Sequence, residues 1–125
     1  MRKVLLVLTI AFVIFNSQLI FAQLQGQAIV DSLLKELPKM KEDTNKVSLL
    51  QMMSFQYNSL DPELGVKYGH EALDLAQKLG WQIGIAKSYN SIGGNLFALG
   101  NFDEALENFK KSLKLNEENK DSLEI

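Results

Sequence analysis

One internal repeat constrains this chain more than any other feature of its sequence. When residues 41–80 are set above residues 81–120, Leu49 falls on Tyr89, Met52 on Ile92, Tyr57 on Phe97, Asp61 on Asn101, Gly65 on Ala105, Ala72 on Ser112, Leu73 on Leu113 and Leu75 on Leu115. Apolar residues meet apolar ones, small meet small, and cap meets cap, with a period of 40 residues. Self-similarity at such a period marks stacked supersecondary units, each too small to bury its own apolar face alone.

Each unit reads as two helices. Ile85, Tyr89, Ile92, Leu96 and Leu99 recur every three or four residues and form one helical stripe. Gly100 then closes the helix, because glycine turns left-handed without steric cost. Asn101 is placed to cap the next helix, with Glu104 completing a capping box. That second helix carries Phe102, Ala105, Leu106, Phe109, Ser112, Leu113 and Leu115 on its inner side. In the first unit Asp61 is the cap, Pro62 takes the first helical position and Gly80 ends the second helix. Gly93 with Ala105, and Gly65 with Ala72, stand where paired helices should approach closely. No stretch after residue 22 alternates as a strand would, so the chain is expected to be all-α.

The spacing Tyr89-x-x-Ile92-Gly93-x-x-Leu96, then Leu99-Gly100-Asn101-Phe102-Asp103-Glu104-Ala105, then Phe109-x-x-Ser112-Leu113, resembles a tetratricopeptide repeat over residues 86–119. Residues 46–79 match less fully. Met53 stands where the glycine belongs and Gly69 replaces the aromatic, while in the second unit Glu117 takes the place of the closing proline. The period exceeds the family's usual 34 residues and resembles its longer-helix variants. HEAT-type repeats share the period but lack this glycine and alanine pattern. The resemblance implies helix-turn-helix units stacked as a short right-handed α-solenoid. It also implies a concave groove lined by the first helix of each unit, at Val47, Leu50, Ser54 and Tyr57 and at Lys87, Asn90, Gly94 and Phe97. Tyr57, Lys87, Asn90 and Phe97 are its strongest candidates for holding a protein or peptide partner. Tyr89, Gly93, Gly100, Ala105 and Phe109 carry the structural signature. The family's carboxylate clamp needs several basic and amide residues over three units, and only Lys87 and Asn90 are suggestive of it.

The front of the chain differs from the rest. Arg2 and Lys3 precede Val4–Phe15, in which only Thr9 is not apolar. The polar Asn16-Ser17-Gln18 follows, then Leu19-Ile20-Phe21-Ala22. A positive start, an apolar middle and a small residue at the end describe a secretory signal over residues 1–22, with cleavage after Ala22. The alternatives are an uncleaved membrane anchor over residues 4–22 and a buried core helix. Signal and anchor both imply an exported, periplasmic or secreted domain. Cleavage would leave the chain two charges more negative than its −2, because Arg2 and Lys3 would depart. Within residues 23–40, Ile29, Val30, Leu33, Leu34 and Leu37 form a further amphipathic helix that Pro38 stops. It is expected to cap the open side of the first unit. Lys39–Lys46 is a polar connection.

The last five residues, 121–125, align with the lead-in to a repeat, Leu123 on Ile83 and Ile125 on Ile85. A third unit is therefore expected to begin there. Without it, Leu106, Phe109 and Leu113 lack a covering helix, which calls for a continuation, a dimer or a capping protein. A signal followed by such repeats resembles the exported N-terminal region of bacterial sensor proteins, which continue into one membrane helix. Those lead to a histidine kinase, a cyclase or a DNA-binding module.

Composition narrows the chemistry. The chain has no cysteine and one histidine, which excludes disulfides, thiolate metal sites and paired-histidine sites. Thirteen basic residues against fifteen acidic ones give no field for nucleic acid. His70 reads as a solvent-facing helix residue. Asp61 with Glu63, and Asp103 with Glu104, complement helix dipoles at helix starts rather than form a glycosidase pair. Trp81 reads as a packing anchor, Met52-Met53 as core, and Lys110-Lys111 as a solvated face. No catalytic residue, cofactor or metal is expected.

Overall fold

The computed structural model describes residues 1–123, and the side chains of residues 1–120. Five helices follow in order: α1 (Arg2–Glu36), α2 (Thr44–Tyr57), α3 (Pro62–Lys78), α4 (Gln82–Ala98) and α5 (Phe102–Leu123). A single 3-10 turn, Leu37–Lys39, carries Pro38. Among the described residues there is no strand. The expected match of Leu123 to Ile83 and of Ile125 to Ile85 rests on side chains outside that set.

Helix boundaries follow local chemistry. The Asp43 carboxylate accepts hydrogen bonds from the amides of Asn45 (2.9 Å) and Lys46 (3.2 Å) and starts α2. Asp61 accepts from the Leu64 amide at 3.2 Å and Pro62 follows it, so α3 begins as its sequence dictates. Gly80 and Gly100 turn left-handed, with φ of +66° and +80°, and no other described residue does. The amide after each reaches back into the helix it ends: Trp81 N–H to Ala76 O and Asn101 N–H to Leu96 O, both 2.9 Å.

The helices pack as two hairpins, α2 with α3 and α4 with α5, joined by α3 against α4 and α2 against α4. Val47, Leu50, Ala72, Leu73, Ala76, Ile85, Ile92, Leu96 and Ala105 form the main core, with Trp81 and Phe109 packed at its margin. The Phe109 ring lies across Gly93, 2.7 Å from where a β-carbon would stand, and so the second hairpin closes only with glycine there.

Two expectations about packing change. Phe109 is half-buried on Gly93 rather than left open, whereas Leu106 and Leu113 are exposed. α5 touches only α4 among the described elements. The repeat also has two offsets. The second helices align at 40 residues, but the burial of Val47, Leu50, Met53, Ser54 and Tyr57 matches Ala86, Tyr89, Ile92, Gly93 and Leu96, 39 residues on. The turn after α2 is one residue shorter, since Asp61 N–H bonds Tyr57 O directly where the later turn inserts left-handed Gly100. Ser54, not Met53, therefore stands in the glycine's place.

α1 is one unbroken helix across the expected cleavage point. It is long and apolar enough to cross a membrane, and none of its most apolar window is buried. Its far end packs on α2, with Val30, Met53 and Tyr57 buried together and Leu33, Leu37, Leu49, Leu60, Leu64 and Tyr68 around them. Ile29 and Leu34 remain exposed.

Candidate protein-binding groove

A groove of about 540 Å³ runs between α2, α4 and the middle of α5. Gln51, Met52 and Phe55 form one wall, Lys87, Asn90 and Ser91 the other, and Ser112 and Asn116 the end. The walls are equivalent surfaces of two successive units, because Gln51, Met52 and Phe55 lie 39 residues before Asn90, Ser91 and Gly94. Parallel packing of α2 on α4 brings them together.

That packing is fixed by polar contacts. The Gln51 amide donates to Gly84 O (2.8 Å) and to Ser88 Oγ (2.9 Å). The Asn58 amide donates to Gly94 O at 3.0 Å. Between them Asn95 Nδ2, buried, reaches Ser54 O (3.0 Å), Ser54 Oγ (3.1 Å) and Ser91 O (2.9 Å). Buried or partly buried, these bonds resist sliding of one unit on the other.

The exposed lining offers two kinds of contact. Met52 and Phe55 are 51% and 72% exposed, an apolar surface that the core does not use. Lys87 is the only charged lining residue among those described. Its ammonium and the Asn90 and Asn116 amides face solvent with no hydrogen bond or ion pair to other described residues. A second cleft, between α2 and α3, is lined by Glu42, Lys46, Glu71, Asp74 and Lys78 around Leu50 and Leu75. There Lys78 bonds Glu42 at 2.6 Å and holds its carboxyl below the ordinary carboxylate range, first through that hydrogen bond and then through charge.

Of the four strongest sequence candidates, Lys87 and Asn90 share the groove. Tyr57 does not: it is 7% exposed and stacked on Tyr68, ring centroids 5.5 Å apart, beneath α1. Desolvation by this burial is the first cause raising the Tyr57 phenol above its ordinary value, and Tyr68 is raised for the same reason. Phe97 is exposed, but packs edge to face on Phe102 at 5.2 Å, beyond the groove. Val47, Leu50 and Ser54 are core residues, and Gly94 is half-buried beside Asn58. The one-residue slip in α2 explains every error in the first unit. Aligning Leu50 with Tyr89, rather than Leu49, would have found Gln51 and Phe55. The contributions of Ser112 and Asn116 carry no comparable signal, since α5's crossing angle decides them.

Gly93, Ala105 and Phe109 meet at the helix crossing, Gly100 makes the turn, and Tyr89 packs half-buried on the core beneath the Lys111 ammonium. His70 is exposed, and Trp81 lies over Gly84 at the start of α4. Among the described residues no acidic, histidine or cysteine group could hold a metal ion.

Residues 86–119 match the family model of the tetratricopeptide repeat. No curated protein matches the chain significantly.

Proposed function

From a chain that carries a tetratricopeptide repeat at residues 86–119, a protein–protein interaction module, we propose an exported, non-catalytic binding protein that holds a peptide or helix in the α2–α4–α5 groove. In this reading the hairpins stack as a short right-handed α-solenoid, with residues 41–80 and 81–120 as its units and 23–40 as its cap. The observation that carries the proposal is the lining. Exposed Met52 and Phe55 face unpaired Lys87, Asn90 and Asn116 across one concavity. An apolar side chain next to an acidic one in an extended or helical partner would satisfy both, with amides left for its backbone. Export follows from Arg2, Lys3 and the apolar stretch behind them, whether as a signal removed after Ala22 or as an anchor. A panel of peptides pairing Leu or Phe with Asp or Glu, titrated against the full chain by fluorescence anisotropy, tests the groove. Lys87→Glu and Phe55→Ser are expected to weaken binding about tenfold each, roughly 1.4 kcal/mol, without loss of helix content. Binding indifferent to both would defeat the reading.

The unbroken course of α1 favours a second reading, in which the module is the sensory segment of a membrane signalling protein of the histidine kinase, cyclase or DNA-binding regulator kind. The exposed Leu106 and Leu113 on α5 would then take a further repeat, a capping protein or a second copy.

A further inference from the structure

α1 runs antiparallel to α2. Leu37 packs with the cluster of Val47 and Leu50, Val30 with Met53 and Tyr57, and Gly26 faces Leu60, 3.6 Å from where its β-carbon would stand. The apolar stretch Val4–Ala22 therefore leaves the bundle at the end that carries the turn 58–61. The α4–α5 turn lies at that same end. Asn58 bonds Gly94 O, which sets the level of the two helices, and Phe97, Leu99 and Phe102 follow beyond Gly94. At about 1.5 Å per residue, Ala98 lies roughly 6 Å past Gly94, and Ala22 roughly 6 Å past Gly26. Two apolar groups thus emerge at the same end of the bundle and at about one depth: the end of a membrane-length helix, and an exposed aromatic pair.

That pair has no role in the core. Phe97 and Phe102 are each 59% exposed and pack edge to face on one another, with Leu99 partly exposed between them. We propose that this turn end is a membrane-contact edge. With α1 retained in the bilayer, Phe97, Leu99 and Phe102 enter the headgroup boundary of the exported leaflet beside it. The inference rests on the reading that residues 4–22 enter a membrane. No Lys or Arg occurs between Lys3 and Lys35, so the basic end stays on the opposite side and the bundle crosses. Asp61, Glu63, Asp103 and Glu104 face outward at the same end, and hence the edge fits a zwitterionic lipid surface and not an anionic one.

The absence of cysteine makes the test direct. Leu99→Cys and, at the opposite end of the bundle, Lys41→Cys are labelled with a nitroxide in the full chain and reconstituted in phosphatidylcholine vesicles. Collision with oxygen, which partitions into lipid, is compared with collision with a water-soluble nickel chelate. The expected result is an oxygen-to-nickel ratio higher at position 99 than at 41, falling toward the position 41 value when Phe97→Ser and Phe102→Ser are added. Equal ratios at 99 and 41 in vesicle-bound chain would overturn the contact while leaving the anchor intact. Protection of position 99 from both reagents would overturn it in favour of a covering protein surface, including a second copy. Chain expressed in cells that begins at Gln23, or that fails to sediment with vesicles, would remove the anchor itself and the proposal with it.

Discussion

Gly65 of α3 lies directly beneath the Asn95 side chain of α4, so close that a β-carbon on Gly65 would overlap the Asn95 amide. Ser54 of α2 joins them, donating its hydroxyl to Gly65 O at 2.7 Å and accepting from Asn95 Nδ2. Three helices from two units therefore meet at one buried polar point. Asn95 Oδ1 accepts no hydrogen bond there, since it faces the bare Cα of Gly65. The glycine is set by the asparagine, which makes the pair a joint between units rather than a feature of either hairpin.

Gly65→Ala should accordingly destabilise the chain by about 1–3 kcal/mol through overpacking. Asn95→Ala should cost a similar amount, about 1–3 kcal/mol, because the buried Ser54 carbonyl loses a donor. Asn95→Ala removes the amide that an alanine at position 65 would overlap, and the double variant should lose less than the two losses added. Urea unfolding of the four chains measures the coupling, and simple additivity would argue against the joint.

Gly80 and Gly100 present a different case, because nothing lies within 4 Å of the position a β-carbon would take at either. Alanine there meets no neighbour, and its cost is the left-handed backbone alone, about 1–2 kcal/mol. Thermal unfolding of Gly80→Ala, Gly100→Ala and the pair should show additive losses, and asparagine at either place should recover part of them.

Leu73 and Leu113 hold equivalent places on α3 and α5, yet Leu73 is 6% exposed beneath α4 and Leu113 is 59% exposed. Leu73→Ala should cost about 2–5 kcal/mol. Leu113→Ser should change the stability of the isolated chain by no more than about 0.5 kcal/mol. If a second copy or another protein covers α5, sedimentation velocity or thermal unfolding at rising concentration will expose a cost for Leu113→Ser that dilution removes.

The Tyr57–Tyr68 stack predicts sensitivity to alkali. Burial raises both phenols in the folded chain, so their contribution to stability is complete below the unfolded tyrosine value near 10. As pH rises beyond that value the unfolded chain ionises first, and stability falls through the window up to the folded values. Tyr57→Phe should flatten the fall in the urea midpoint measured between neutral pH and pH 11, and a slope unchanged by Tyr57→Phe would dissociate the stack from the effect.

The second helices were legible because their determinants are local. Asp61 with Pro62, and Gly80 and Gly100, are short-range signals, and the 40-residue spacing of Gly65 with Ala105 and of Ala72 with Ser112 is undisturbed by any insertion. The first helix of unit one was misread by a single position, because an ungapped comparison cannot register a turn one residue shorter. On a helix one residue is 100° of rotation, enough to exchange Ser54 and Leu50 in the core for Phe55 and Gln51 in the groove. Lys87 and Asn90 were found because they precede Gly100 in the unit whose turn is of standard length. The division of residues 2–36 into a leader and a capping helix was drawn on composition, and backbone continuity through Ala22 is a property that composition does not encode.

That continuity has a mechanical meaning. A helix without a loop behaves as a stiff rod, and Val30 with its neighbours clamps one end of this rod to the face of α2. Were residues 4–22 held in a bilayer, the clamp would leave the bundle no swivel of its own. Tilting or rotating the embedded half would sweep the groove through the same angle, and force on a bound partner would return along the rod as torque.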